Sequence, residues 1–148
     1  GRRDLSRSFG ADLALDASMP IAELAAIIHT HCRPAGADAV IEVCGSADAI
    51  PVGLELVRTG GTFVLAGLVS PNALVTFDAY RIVRKMITLR GIHNYHPRHL
   101  VEALDFVVAN QTRYPFSELV DARYPLHEAT RAMSDAAERR VLRAAIVP

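Results

Sequence analysis

Three times between Gly36 and Gly91 the chain repeats one pattern: a short apolar run that closes on glycine, with a helical stretch before the next run. The runs are Gly36-Ala37-Asp38-Ala39-Val40-Ile41-Glu42-Val43-Cys44-Gly45, then Thr62-Phe63-Val64-Leu65-Ala66-Gly67, then Met86 to Gly91. A run that is apolar at nearly every position has no solvent-facing side, and helices between such runs are the crossovers that parallel strands require. The alternation therefore predicts an α/β fold, a parallel sheet with helices on both faces.

The intervening and flanking segments follow the same logic. Arg2 to Phe9 reads as a helix closed by Gly10, and Leu13 to Asp16 as a short strand. Ser18, Pro20 and Glu23 announce a helix through about His31, with Ile21, Leu24, Ile27 and Ile28 on one face. Ala47 to Arg58 is a second helix carrying Ile50, Leu54 and Val57, stopped by Thr59-Gly60-Gly61. Beyond Gly67 the turn Ser70-Pro71-Asn72 leads to a helix over Asp78 to Lys85. Leu100, Val101, Leu104, Val107 and Val108 form a helical stripe ending near Asn110. Gln111 to Tyr124 is a polar connection with a short strand at Leu119-Val120; a helix over Leu126 to Ala137 and a strand over Leu142 to Val147 close the chain. With no internal repeat and no long linker, the 148 residues read as one domain.

Composition removes several function classes. Sixteen basic residues balance sixteen acidic ones, so the chain lacks the basic footprint of a nucleic-acid binder. The longest apolar stretches, Ile21 to Ile28 and Leu100 to Ala109, are broken by Glu23, Glu102 and Asp105 and fall short of a bilayer span, so no membrane partner is expected. The opening GRRDLSRSFG has no apolar core of a secretory signal. Two cysteines, Cys32 and Cys44, build neither a disulfide framework nor a zinc knuckle, and a reducing, cytoplasmic setting is the expectation.

Open parallel sheets bind ligands beyond the carboxyl ends of their strands, which directs attention to Gly45, Gly67 and Gly91. Glycine there either makes the turn or lets a flat ligand approach the backbone. No G-x-G-x-x-G opens a helix: Gly36 is isolated, and Gly60-Gly61 precedes a strand. H-E-x-x-H, G-x-S-x-G and P-loop motifs are also missing from the sequence, so no catalytic residue is assigned. His29 and His31, two apart on a helix, point to different sides and read as solvated helix-end residues; Cys32 and Cys44 read as buried, inert thiols. Glu42 can accept a hydrogen bond from a ligand hydroxyl or pair within the protein, and the structural role is preferred. Arg143 can reach phosphate oxygens or form a surface ion pair with Glu138 or Asp135.

The stretch RGIHNYHPRH places His93, His96 and His99 three apart. Pro97 is suited to open a helix, which leaves His93 and His96 in the preceding loop and only His99 inside it. No shared helical face remains for a metal, and His93 and Tyr95 become candidate contacts at the mouth of a ligand loop.

Taken in order, SFGADLALD, GADAVIEVCGSADAI, LVRTGGTFVLAGL, MITLRGIHNY, YPLHEATRAM and RAAIVP resemble the second half of zinc-type medium-chain alcohol dehydrogenases across essentially all 148 residues. GIHNYHPRHL resembles the branch associated with phosphonate catabolism. The resemblance implies an incomplete Rossmann-like sheet lacking its first strands: residues 1–148 would be a partial NAD(P)-binding domain, with roughly 111–148 returning toward a catalytic domain. It implies cofactor contacts from Val43, Cys44 and Gly45 on the adenine or ribose side, and from Ala66, Gly67 and Leu68 at the nicotinamide ribose. Gly91, Ile92 and His93 would meet the nicotinamide carboxamide, and Arg143 the pyrophosphate. Zinc would belong to the parent enzyme, with no ligands supplied by this chain, and an alcohol would be the parent's substrate. The chain looks like a C-terminal fragment, inactive alone, that forms a homodimer through Leu74–Leu89. Two other readings stand beside it: a zinc-free quinone or enoyl reductase of the same superfamily, and a non-catalytic nucleotide-binding or assembly module.

Overall fold

The computed structural model describes residues 2–32, 35–71 and 73–148, which leaves Asn72 of the expected turn outside the described residues. The chain divides into two compact units, Asp16–Tyr95 and the pair of segments Gly1–Leu15 with His96–Pro148. The sequence carries no long linker because both boundaries fall within short connections.

In the first of these units, α2 (Ile21–His31) precedes β1 (Ala37–Glu42), α3 (Ala49–Leu56), β2 (Val57–Leu65), α4 (Ala79–Lys85) and β3 (Thr88–Gly91). The strands pair in parallel in the order β1-β2-β3. This is the expected α/β arrangement. Ile50, Leu54, Val57, Phe63 and Ile87 form the buried cluster, with Val40, Leu65, Leu68, Val75 and Ile82 packed around it. Val40, paired with Phe63, belongs to this core, whereas its neighbour Ile41 is 62% exposed. Within this unit α3 packs on β1 and β2, and α4 on β2. When strands in sequence order are joined by crossovers of the same hand, the connecting helices α3 and α4 fall on the same side.

Two details depart from the sequence reading. Thr59-Gly60-Gly61 does not stop α3; that helix ends at Leu56, and the glycines lie inside β2. The register jumps there, from Ala37↔Val57 to Ala39↔Thr62, so the glycines serve an irregularity in the strand. Gly60 has φ +72°, and a Cβ on Gly61 would lie 2.6 Å from Val57 Cγ2. Lys85 at the end of α4 reaches the last turn of α3, its Nζ donating to the carbonyls of Leu54, Glu55 and Val57 at 3.0–3.1 Å. An ammonium satisfies carbonyls that a helix end leaves without partners.

The second unit holds α1 (Arg2–Ser8), α5 (Pro97–Asn110), β4 (Ala122–Pro125), α6 (Ala129–Ala137) and β5 (Ala144–Val147). Gly10, with φ +93°, follows α1 as expected, but Leu13 to Asp16 form no strand. A strand needs a ladder partner, and local pattern alone does not provide one. Leu119-Val120 is likewise not a strand: Phe116–Leu119 is a 3-10 turn, and β4 begins at Ala122. β4 and β5 pair in parallel, with Asp121 accepting from the N–H groups of Leu142 and Arg143 at 2.9–3.0 Å where β5 enters. Phe9, Phe106, Tyr114 and Phe116 form a ring cluster with centroids 5.5–6.4 Å apart. Among the described residues, no helix is long and apolar enough to cross a membrane.

Candidate cofactor-binding edge

The register of the parallel sheet sets Glu42 beside Leu65 and Leu65 beside Gly91, so the three strands finish at one level. Nine expected site residues follow these ends: Val43, Cys44 and Gly45 after β1, Ala66, Gly67 and Leu68 after β2, and Gly91, Ile92 and His93 at β3. Backbone hydrogen bonds continue past the strands. The N–H groups of Ala66 and Gly67 donate to the Glu42 carbonyl at 2.9 and 3.0 Å, and that of Ile92 donates to the Leu65 carbonyl at 2.9 Å. Val43 is 73% exposed, Ile92 is exposed, and Leu68 turns inward against the core.

The glycines at this edge differ in what requires them. Gly45, with φ +72°, and Gly67 approach so closely that a Cβ on Gly45 would lie 2.8 Å from the Gly67 carbonyl oxygen. A Cβ on Gly67 would lie 2.6 Å from the Gly45 nitrogen and 2.7 Å from Glu42 Oε1. Gly91 is different: a Cβ there would meet nothing within 4 Å. The sheet does not need glycine at Gly91, and the space above it is open to a ligand.

Glu42 is 4% exposed and interacts with both glycine loops. Its Oε1 accepts from the Gly45 N–H at 2.5 Å and its Oε2 from the Gly67 N–H at 3.1 Å. Burial pushes its carboxyl up, but the N–H groups of Gly45 and Gly67, with the Cys44 thiol and N–H, outweigh burial and hold it below the ordinary glutamate value. The preferred structural reading of Glu42 stands on these contacts. Its signal in the sequence is an acid flanked by the apolar residues Val40, Ile41 and Val43.

The tenth expected residue lies elsewhere. Arg143 belongs to the second unit, exposed at the start of β5, with its backbone N–H held by Asp121. The ion pairs that spacing offers Arg143 are made instead by Arg140, which meets Asp135 at 2.9 Å and also contacts Glu138. Asp135 accepts the buried Tyr124 hydroxyl at 2.8 Å as well, and the Tyr124 and Arg140 hydrogen bonds keep its carboxyl below the usual aspartate range.

The remaining candidates resolve individually. Cys44 is exposed rather than buried, because it stands in the loop after β1, and Cys32 is half-buried. His31 points back along its own helix, with Nδ1 2.9 Å from the Ile27 carbonyl. Pro97 opens α5 with His96 as its cap, accepting from the Arg98 N–H, while His99 pairs with Glu102. Among the described residues, no group of three or more His, Cys, Asp or Glu side chains could hold a metal ion. A zinc site does not fit the described donor set, and no chemical step is assigned to one.

The family model for zinc-binding dehydrogenases matches residues 1–109. The chain belongs to the zinc-binding dehydrogenase family. Among curated relatives, it is 27% identical over 133 residues to 5-exo-hydroxycamphor dehydrogenase of Pseudomonas putida, covering 89% of this chain and 37% of that protein. It is 26% identical over 127 residues to D-arabitol-phosphate dehydrogenase of Enterococcus avium, covering 86% of this chain and 35% of that protein. Among solved structures, an alcohol dehydrogenase of Thermotoga maritima superposes with a TM-score of 0.91 at 31% identity, covering 99% of this chain and 40% of that one. The chain thus spans about two fifths of the length of these dehydrogenases. Its incomplete Rossmann-like sheet is the dehydrogenase fold seen over that portion.

Proposed function

We propose that this chain is an NAD(P)-binding part of a zinc-type alcohol dehydrogenase and that the dinucleotide lies along the edge formed by the three strand ends. The alignment of Glu42, Leu65 and Gly91, with open space over Gly91, is the observation that carries the proposal. Val43, Cys44 and Gly45 take the adenine or ribose side, Ala66, Gly67 and Leu68 the nicotinamide ribose, and Gly91, Ile92 and His93 the carboxamide. Arg143, in the other unit, is proposed separately as a residue that takes phosphate oxygens, since a guanidinium provides paired donors. The nicotinamide, when bound, accepts or gives the hydride exchanged with an alcohol. This chain's residues bind and orient it.

Residues 111–148 are, in this proposal, the return toward a catalytic domain that holds the zinc, and the chain is inactive alone. A cytoplasmic setting belongs to the same reading, supported by the free thiols of Cys32 and Cys44. So does a homodimer through Leu74–Leu89, where Leu74, Tyr80, Val83 and Met86 are all more than 60% exposed.

Titration of the chain with NADH, followed by nicotinamide fluorescence, tests the reading. Without a glycine fingerprint to cradle the pyrophosphate, saturable binding weaker than about micromolar is expected. No saturation at millimolar NADH contradicts it. Binding tighter than about micromolar favours a self-standing nucleotide module instead.

A further inference from the structure

We propose that Glu42 is a positioning residue for the cofactor edge: its buried carboxylate ties the backbone after β1 to the backbone after β2 and fixes both in the shape that receives a dinucleotide. The inference rests on the cofactor reading above and adds the residue that sets the edge's geometry. Each carboxylate oxygen has its own task, Oε1 taking the Gly45 N–H and Oε2 the Gly67 N–H. The main chain of Glu42 reinforces the link, since its carbonyl receives the N–H groups of Ala66 and Gly67. One residue thus organises both loops.

The geometry favours an ionised carboxyl. Two N–H donors converge on two oxygens, and a carboxylate offers acceptors at both positions. A glutamine offers one, and its NH2 would face the other glycine's N–H as donor against donor. A protonated carboxyl still accepts at both oxygens, but it loses the charge that strengthens the two bonds. Cys44 adds its thiol and N–H to the carboxylate's partners, and it is the titratable side chain among them. The fit also explains the two glycines, since a Cβ on Gly67 would lie 2.7 Å from Oε1 and one on Gly45 would strike the Gly67 carbonyl. At 4% exposure, Glu42 has little surface left for a ligand hydroxyl, so it acts on the cofactor through the backbone.

The test uses the whole chain as wild type, Glu42→Gln and Glu42→Asp. NADH affinity is measured at neutral pH, with circular dichroism fixing the folded fraction. In parallel, the Glu42 carboxyl carbon and the Gly45 and Gly67 amides of the wild type are followed by NMR as pH is lowered. The Gln variant is expected to fold and to bind NADH about tenfold or more weakly, the loss of a charge-assisted pair of hydrogen bonds. Glu42→Asp, which keeps the charge and both acceptors, regains part of that loss. The two glycine amides titrate together with the carboxyl. A folded Gln variant that binds as the wild type does overturns the proposal. If the Gln variant does not fold, the wild-type titration decides: glycine amides that ignore the carboxyl's ionisation overturn the clamp, and amides that follow it support it. Failure of the wild type itself to bind NADH overturns the cofactor reading, an outcome distinct from a variant indifferent to the loss of its carboxylate.

Discussion

At the scale of single residues, Gly91 offers the cleanest separation of folding from binding. Its Cβ position is empty of neighbours, so Gly91→Val is expected to change stability by less than about 0.5 kcal/mol, as surface substitutions usually do. The same side chain stands where the nicotinamide is proposed to lie, and NADH binding is expected to fall at least severalfold. Paired denaturant melts and NADH titrations check this, and unchanged binding would remove Gly91 from the site. Asp121 makes a prediction about acid. The N–H groups of Leu142 and Arg143 hold its carboxyl below the ordinary aspartate value, so near that value the unfolded chain binds more protons than the folded one. Its contribution is full above the unfolded value of about 4 and is lost as pH falls through the lower folded one. Asp121→Asn should therefore flatten part of the decline in thermal midpoint between about pH 5 and pH 3; an unaltered slope would contradict the assignment.

The residue scale also marks where sequence reading stops. Asp135 had Arg140 and Arg143 within reach by spacing, and nothing in the sequence chose between them. Arg139 adopts φ +57° after α6, and the Arg140 N–H returns to the Asp135 carbonyl at 2.9 Å, which aims Arg140 at the acid. A left-handed residue other than glycine leaves little trace in the sequence. Glu42 was visible as an acid in an apolar run, but its two glycine partners depend on a loop contact between residues 25 positions apart in one case.

Among elements, α3 and β2 are the pair whose packing is most demanding. Gly53 faces Phe63 so closely that a Cβ would lie 2.2 Å from the ring, and Phe63 is fully buried. Alanine is the better helix former, yet Gly53→Ala is expected to destabilise by roughly 1–3 kcal/mol because overpacking a fixed ring outweighs propensity. A denaturant midpoint equal to or above the wild type's would refute that packing. The alternation of strands and helices made this unit legible: β1, β3, α2 and α4 lie close to where periodicity sets them. Periodicity failed where partners decide. Gly60-Gly61 looked like a helix stop but serves a register shift, and Leu13 to Asp16 looked like a strand but has no ladder. In α5 the apolar stripe of Leu100, Val101, Leu104 and Val108 is exposed, so its amphipathic pattern identified a helix without identifying a buried face.

For the whole molecule, the proposed dimer seam is testable apart from the cofactor. Leu74, 90% exposed, and Val83, 74% exposed, are costly to leave in water and suited to burial between two copies. Sedimentation at working concentrations is expected to give a dimer that Val83→Asp converts to monomer, and a monomeric wild type would count against the seam. The family and fold could be anticipated because the motifs keep their order along the chain; four of them lie within residues 1–109, the stretch that matches the zinc-binding dehydrogenases, and the fold match covers 99% of the chain. The central claim concerns where a nicotinamide dinucleotide would rest. Amide chemical-shift mapping of the chain with NADH tests it most directly: the account predicts shifts concentrated at Val43 to Gly45, Ala66 to Leu68 and Gly91 to His93. Saturable binding whose shifts fall away from those three strand ends would contradict it.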